Sequence, residues 1–526
     1  MSPSPIVENY TVAVLERLRA TGAREAVVGE SQAQRAGDTL RLTGEQAHDT
    51  VLRYAAALRE SGLGPGDGVA LFVENSPEAM LLMLAVHFTG GRLVFVPPEP
   101  GNGELEAFLR RAEISALFFD PVFEERTRRI TEQLDVPRVF AIGASTLAPD
   151  FLAASADSPA LKPDEAADGS HLATLLYTGG TTGTPKLVTH RSRYYRALAA
   201  TAERLGDSVS AEPKWLVCTL ITHVSGHAVS LGALVNGATL VLLRGFDAGR
   251  ALSVLARERI TGSIIVTPML YELLDHPDCP PDGFPALRTL LYTGSGPAPA
   301  RLRQGIERLG PVLHQIYGTS ESGAVIDLPA AEHDLSRPES LTSCGRPAPG
   351  VEVELRDEDG KPVPVGQTGE LCLRGAMVMD GYWNDPERTA EVLGADGWLR
   401  TGDLARQDER GFLYVVDRLK DIIITGRTAD NVYSRLLDDF LASLPEIREA
   451  AAVGRPGPDG AEQVHVVLVP QDPGHVPDLD DLSRRVTETL GDLYTPASYS
   501  VARALPRTTI GKVDKKALRT ALVDAP

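Results

Sequence analysis

The stretch "LYTGGTTGTPK", Leu176 to Lys186, packs four glycines or prolines, four threonines and one lysine into eleven residues. Its glycines let backbone N–H groups approach an anion closely, its threonines add hydroxyl donors, and its lysine adds a mobile positive charge. That combination predicts a phosphate cradle. It is not the Walker A pattern, which needs lysine directly after glycine, whereas here Thr184 and Pro185 separate Gly183 from Lys186. A P-loop kinase or GTPase is therefore not indicated.

The run before the loop, "LATLLYTGG", reads as a strand, and similar apolar runs recur on both sides of it. "GLGPGDGVALFVENSPEAMLLMLAVHFTGGRLVFVPP" reads as turn, strand, helix, strand. "ATLVLLRG", "GSIIVTPML" and "LRTLLYTGSG" continue the alternation to about residue 325. Unbroken apolar strands of this kind predict a parallel sheet covered on both faces. Residues 43 to 62 carry Val51, Tyr54, Ala55 and Leu58 at helical spacing and stop at Gly62. The segment 145 to 170, rich in Ala, Ser, Pro and Asp, reads as a surface connection. From about 340, "VEVELRDEDGKPVPVGQTGELCLRG" changes to short alternating strands, and the last hundred or so residues read as a separate small mixed unit.

The bulk numbers bound the function. The chain has 526 residues, 43% hydrophobic and 23% charged, the balance of an ordinary globular protein. Against 52 Lys and Arg stand 71 Asp and Glu, and the net charge of −19 disfavours nucleic acid or an anionic membrane as partner. The start "MSPSPIVENY" lacks a basic region followed by an apolar core, and "AMLLMLAVHF" is too short to span a bilayer, so a cytoplasmic protein without membrane insertion is expected. Cys218, Cys279, Cys344 and Cys372 are far apart, with no C-x-x-C pair, and read as buried free thiols.

Further motifs keep the phosphate loop company. "YGTSESG", Tyr317 to Gly323, offers a ring to stack a base, a hydroxyl for a phosphate and a carboxylate for Mg²⁺. "GWLRTGDLAR" places Asp403 in a tight turn, where a carboxylate accepts from ribose hydroxyls, and "LPRTTIGK" carries Lys512 after a glycine. With "THVSGH", "GELCLRGAMVMDGYWNDPERT" and "VDRLKDIIITG", these motifs stand in the order found in the adenylate-forming superfamily, and the chain resembles it from about residue 40 to 520. That superfamily holds acyl- and aryl-CoA synthetases, firefly-type luciferases and peptide-synthetase adenylation domains.

The resemblance implies an α/β fold: a large N-terminal domain of layered sheets and helices over 1–417 with a β-rich subdomain at about 340–417, a hinge at 418–421, and a small mobile α+β domain over 422–526. It implies ATP and Mg²⁺ as the nucleotide and metal, a small-molecule acid as substrate, and CoA or a separate carrier protein as acceptor. By similarity, Thr178, Gly180, Thr181, Thr182, Gly183, Thr184 and Lys186 hold the departing phosphates, with Thr181 and Glu321 toward Mg²⁺. Ser320 touches the α-phosphate, Tyr317 and Gly318 flank adenine, and Asp403 and Arg418 fix the ribose. Lys512 bridges the acid oxygen and the α-phosphate, lowering the repulsion between two anions. His223, His227, Gly294, Ser295, Gly296, Tyr317 and Thr319 are expected at the acid pocket, and Lys420 matches the hinge position.

The chain departs from the family after that hinge. Where thiol-transferring members read much like "SGGENVYPxEVE", this one reads "ITGRTADNVYSRLLDDF": Arg427 takes the place of the second glycine, the turn is about two residues longer, and Ser434 and Leu436 replace proline and glutamate. In the phosphate loop Gly179 and Leu187 replace serine and glycine, which removes no charge. Three functions follow: an AMP-forming acid ligase that passes its acyl group to CoA or a carrier thiol; a diazotase that adenylates nitrite for an aryl amine; and a silent nucleotide-binding protein. Retention of Lys186, Glu321, Asp403 and Lys512 argues against the third.

Overall fold

The structure, a computed structural model, describes residues 9–32, 38–97, 104–178, 186–206, 212–425, 430–457, 462–508 and 512–523. Its first 330 or so residues build two layered sheets. In one, the strands Lys214–Val217, Gly262–Val266, Thr289–Thr293 and Leu313–Thr319 lie side by side and parallel. In the other, Ala173–Thr178 pairs parallel with Arg92–Phe95, which pairs parallel with Gly68–Phe72. Between the layers sits the helix Pro77–Phe88, started by Ser76, whose hydroxyl accepts from Ala79 N–H, and by Pro77 at its first turn. All of its residues are buried. Apart from Glu78 and His87, which hydrogen-bond Ser31 and Tyr10, its residues are apolar because it is enclosed on every side.

The sheets are not purely parallel. Lys186–Arg191 runs antiparallel to Ala173–Thr178, and Gly323–Leu328 antiparallel to Leu313–Thr319, the latter pair joined by the turn Ser320 to Ser322, which leaves no room for a crossover helix. The segment 145–170 is more than a connection: it holds the short helix Phe151–Ser155, capped by Asp150 and pinned by the buried Phe151 ring.

A four-stranded antiparallel sheet follows, Glu352–Arg356, Thr368–Arg374, Leu399–Gln407 and Leu413–Arg418. The small C-terminal domain has its own core, with Leu437, Leu441, Val464, Val466, Leu482 and Val486 between sheet and helices. Its strand Ile447–Pro456 was not legible in the sequence, because "EAAAVG" has little β propensity. It forms because its small side chains, fully buried at Ala451, Ala452 and Val453, fit beneath the flanking helices. All four cysteines are free and buried. Among the described residues no helix is long and apolar enough to cross a membrane.

Candidate active site

The four parallel strands end at one cavity of about 2950 Å³, bounded also by the β-rich subdomain and the small domain. Loops at the carboxyl ends of adjacent parallel strands are where α/β sheets collect ligands. Here they supply His223, Thr267, Gly294, Ser295, Gly296 and the turn Thr319 to Glu321.

On the nucleotide side the strand Leu313–Thr319 shifts register between Tyr317 and Gly318. A Cβ at Gly318 would lie 2.0 Å from Gly323 O, so only glycine lets the two strands close into this bulge. The bulge aims Tyr317 at the cavity, where its hydroxyl donates to Asp403 Oδ2 at 2.6 Å. Arg418 Nε stands 3.0 Å from Asp403 Oδ1. That oxygen is buried and accepts no hydrogen bond among the described residues, an orphan acceptor suited to a ribose hydroxyl. The Asp403 carboxylate raises the Arg418 pKa, against the opposing pull of desolvation.

Ser320 is held by its carbonyl, which accepts from His190 Nε2–H at 2.7 Å. Burial pushes the His190 pKa down to about 4, so the ring stays neutral. The Thr319 hydroxyl is engaged in its own turn, accepting from Ser322 N–H at 3.2 Å, although the residue lines the cavity. Glu321 receives a hydrogen bond on Oε1 from the Tyr382 hydroxyl at 3.1 Å. No cluster of three or more His, Cys, Asp or Glu able to hold a metal exists among the described residues. Glu321 with nucleotide phosphates is the donor set a small hard cation such as Mg²⁺ accepts, so the residues present fit that ion.

Thr178 and Lys186 face each other across the last pair of an antiparallel ladder, and both line the cavity. Gly180, Thr181, Thr182, Gly183 and Thr184, between them, lie outside the described residues, as does Arg427. Lys512 enters from the small domain. Its Cε lies 3.7 Å from where a Cβ on Gly294 would stand. Desolvation, then the Arg418 charge, push its ammonium down to about 8, with Asp403 and Glu321 pulling the other way.

His223 caps the helix Val224–Val235, its Nδ1 accepting from Ser225 N–H at 3.4 Å, which leaves the ring proton on Nε2. Burial and the Lys512 charge push it down to about 4. Down this helix Val224, Ala228 and Gly232 recur at every fourth position and line the cavity, making an apolar wall. His227 is placed elsewhere: it is 3% exposed, sits edge-on to Phe95 and Tyr195, bonds the Tyr195 hydroxyl at 3.2 Å and does not line the cavity. Gly296 leaves space for Arg435 of the small domain, whose Nη2 a Cβ there would meet at 2.0 Å.

Lys420 lies in the single turn Leu419–Asp421 between the domains, its pKa lowered by desolvation and by Arg418. Beside it Asp417 Oδ2, at the end of the β-rich subdomain, accepts from Ser434 Oγ at 3.0 Å and from Arg435 N–H at 3.4 Å. The small-domain helix Ser434–Ala442 has no cap of its own, and this carboxylate supplies one.

Sequence reasoning passed over Tyr382, His190 and Asp417. Tyr382 and Asp417 stood inside quoted motifs, but only the fold shows what they touch.

Residues 15–383 match the AMP-binding enzyme family, and residues 437–512 the AMP-binding enzyme C-terminal domain. A medium/long-chain-fatty-acid–CoA ligase, FadD8 of Mycobacterium tuberculosis, is 37% identical over 92% of this chain and 86% of its own. The amide bond synthetase McbA of Marinactinospora thermotolerans is 36% identical, with TM-score 0.86 over 97% of this chain and 99% of its own. ATP-bound MatB of Rhodopseudomonas palustris is 27% identical, with TM-score 0.85 over 98% of this chain and 99% of its own.

Proposed function

The chain belongs to the adenylate-forming AMP-binding enzymes, AMP-forming ligases of acids, and from that premise we propose that it activates an organic acid with an elongated apolar body and passes the acyl group to the thiol of CoA or of a separate carrier protein. One observation carries the reading: Lys512 reaches from the small domain into a cavity shared by Asp403, Arg418, Glu321 and His223. The acid carboxylate and the α-phosphate of ATP repel each other, and an ammonium placed between them offsets that repulsion most where the new bond forms. Tyr317 and Asp403 hold adenine and ribose, Ser320 meets the α-phosphate, and Lys186 draws off the departing pyrophosphate. Mg²⁺ held at Glu321 would neutralise phosphate charge.

The acid's body lies along Val224, Ala228 and Gly232, a wall of about 12 Å at about 1.5 Å rise per residue. Nitrite would leave that wall bare, so an organic acid is favoured over the diazotase reading. The fatty-acid–CoA ligase likeness supports the same class.

A second reading, an amine as acceptor, is favoured by the Asp417 contact. Ser434, where proline is usual, ties the small domain to the large one with Lys512 in the site. An amine that enters beside the adenylate needs no rotation of that domain, and the amide bond synthetase likeness supports it.

The test is product analysis with ATP, Mg²⁺ and a series of alkyl and aryl-alkyl acids. AMP and pyrophosphate with one acid class, and turnover rising with CoA, meet the first reading. AMP turnover that ignores CoA and rises with an amine favours the second. No AMP with any acid refutes both.

A further inference from the structure

We propose that Tyr382 is a positioning residue for ATP·Mg²⁺, its hydroxyl holding the Lys186 ammonium and the Glu321 carboxylate apart at the separation the nucleotide needs. The inference rests on the assignment of those two groups to phosphate and metal. Tyr382 belongs to the two-residue strand Gly381–Tyr382, which pairs antiparallel with the strand that Lys186 begins. The segment is clamped along its length. Tyr382 N–H donates to Thr389 Oγ1 at 2.9 Å, Trp383 N–H to Leu187 O at 2.8 Å, and Asp380 N–H to Thr189 O at 2.9 Å. Gly381 has φ of 124°, and a Cβ there would sit 2.9 Å from the Thr389 methyl, so the turn needs glycine. Next to it the Trp383 ring is covered by the Arg92 guanidinium at 4.2 Å. The phenol ring is thus fixed, and 6% exposed.

Its hydroxyl donates to Glu321 Oε1 at 3.1 Å, and the Lys186 ammonium stands 3.5 Å from the phenolic oxygen of Tyr382 and 4.7 Å from its ring centre. A phenol has one proton to give and a lone pair to accept with, so the order runs from ammonium to phenol to carboxylate. With Oε1 engaged by the phenol, Oε2 would be the Glu321 oxygen left for a metal. Without the hydroxyl, two opposite charges in a half-buried site attract each other directly, and their pairing closes the space that phosphates and metal would take.

The experiment is ATP–pyrophosphate exchange with the full chain, titrated with Mg²⁺ at fixed ATP, for the wild type and Tyr382→Phe, which keeps the ring. We expect the Mg²⁺ requirement and the KM for ATP to rise about tenfold or more, the loss typical of a hydrogen bond to a charged group. AMP binding and the thermal midpoint should stay at wild-type values, since neither involves the phosphate-and-metal contact. In a Glu321→Gln background the same change should add little to the Mg²⁺ requirement. A Mg²⁺ requirement and KM within twofold of wild type, while Lys186→Ala and Glu321→Gln are impaired, overturns the role of Tyr382 alone. Unimpaired exchange in Lys186→Ala and Glu321→Gln overturns the nucleotide assignment, and this inference with it. If Tyr382→Phe lowers the thermal midpoint, the double variant decides: equal Mg²⁺ shifts in both backgrounds overturn the proposal.

Discussion

Raising the pH should switch off the first half-reaction by discharging Lys512. Desolvation and the neighbouring Arg418 push this ammonium from 10.5 down to about 8. The charged form is the active one, so activity is present below about 8 and is lost as pH rises through it. For that value the free enzyme is about nine-tenths charged at pH 7 and about one-tenth at pH 9. kcat/KM for ATP, which reports groups on the free enzyme, should therefore fall about tenfold between those two points in pyrophosphate exchange at saturating Mg²⁺. An ordinary lysine would lose only about 3% over the same range. His223, pushed down to about 4, stays neutral throughout and adds no second limb. Lys512→Arg should abolish the fall, since a guanidinium stays charged, at a lower absolute rate. A wild-type profile flat to pH 9 would refute the reasoning, as would Lys512→Arg that keeps the fall.

Lys420→Pro should spare adenylation, measured by exchange, and stop acyl transfer to the acceptor, the outcome expected if the single turn Leu419–Asp421 that joins the domains is a hinge; equal loss of both steps counts against a hinge there. Ser434→Pro removes the hydrogen bond to Asp417 and the one that Ser434 Oγ accepts from Lys515 Nζ at 2.7 Å, but it suits the first turn of its helix and leaves Lys515 paired with Asp438, so the small domain should fold and CoA-dependent turnover should rise about tenfold. An unchanged rate would show that the Asp417 contact does not hold the domain. Ala228→Phe places a ring on the apolar wall and should raise the KM for long acids at least tenfold while short acids keep theirs, an order of magnitude set by burying or excluding two or three methylenes.

Much of the fold was legible because its signals are local. Apolar strand cores, the glycine turns after them and the capped helices announce themselves over a few residues. The strand Ile447–Pro456 escaped because its reason for existing is the helices packed on its two faces, not its own alanines. The same division runs through the site. Tyr317, Glu321, Asp403 and Lys512 were placed by motif, and the fold brings all four to one cavity. His227 shows the limit: His223 is the extended N-cap residue and faces the cavity, whereas His227 lies inside the helix, off the stripe of Val224, Ala228 and Gly232, and turns to Phe95 and Tyr195 in the core. His190 is invisible to pattern reading, since its function lies in holding a carbonyl 130 residues away in the chain.

The interdomain contacts bear on the acceptor through a single equilibrium. Lys512 in the cavity and Ser434 on Asp417 are two marks of one posture of the small domain. Any free energy that the Ser434 bond adds to this posture lowers, by the same factor, the population available for a rotated one. A thiol on a long arm that needs the rotated face pays that factor at every turnover, whereas an acceptor that reaches the adenylate in place does not. On the proposed two-posture reading, a residue change that favours the first half-reaction would also select among acceptors for the second, with no contact to either. Ser434→Pro should accordingly move the two half-reactions in opposite directions, slowing exchange as it speeds CoA transfer. If both move together, the serine acts on the fold of the small domain and not on its posture.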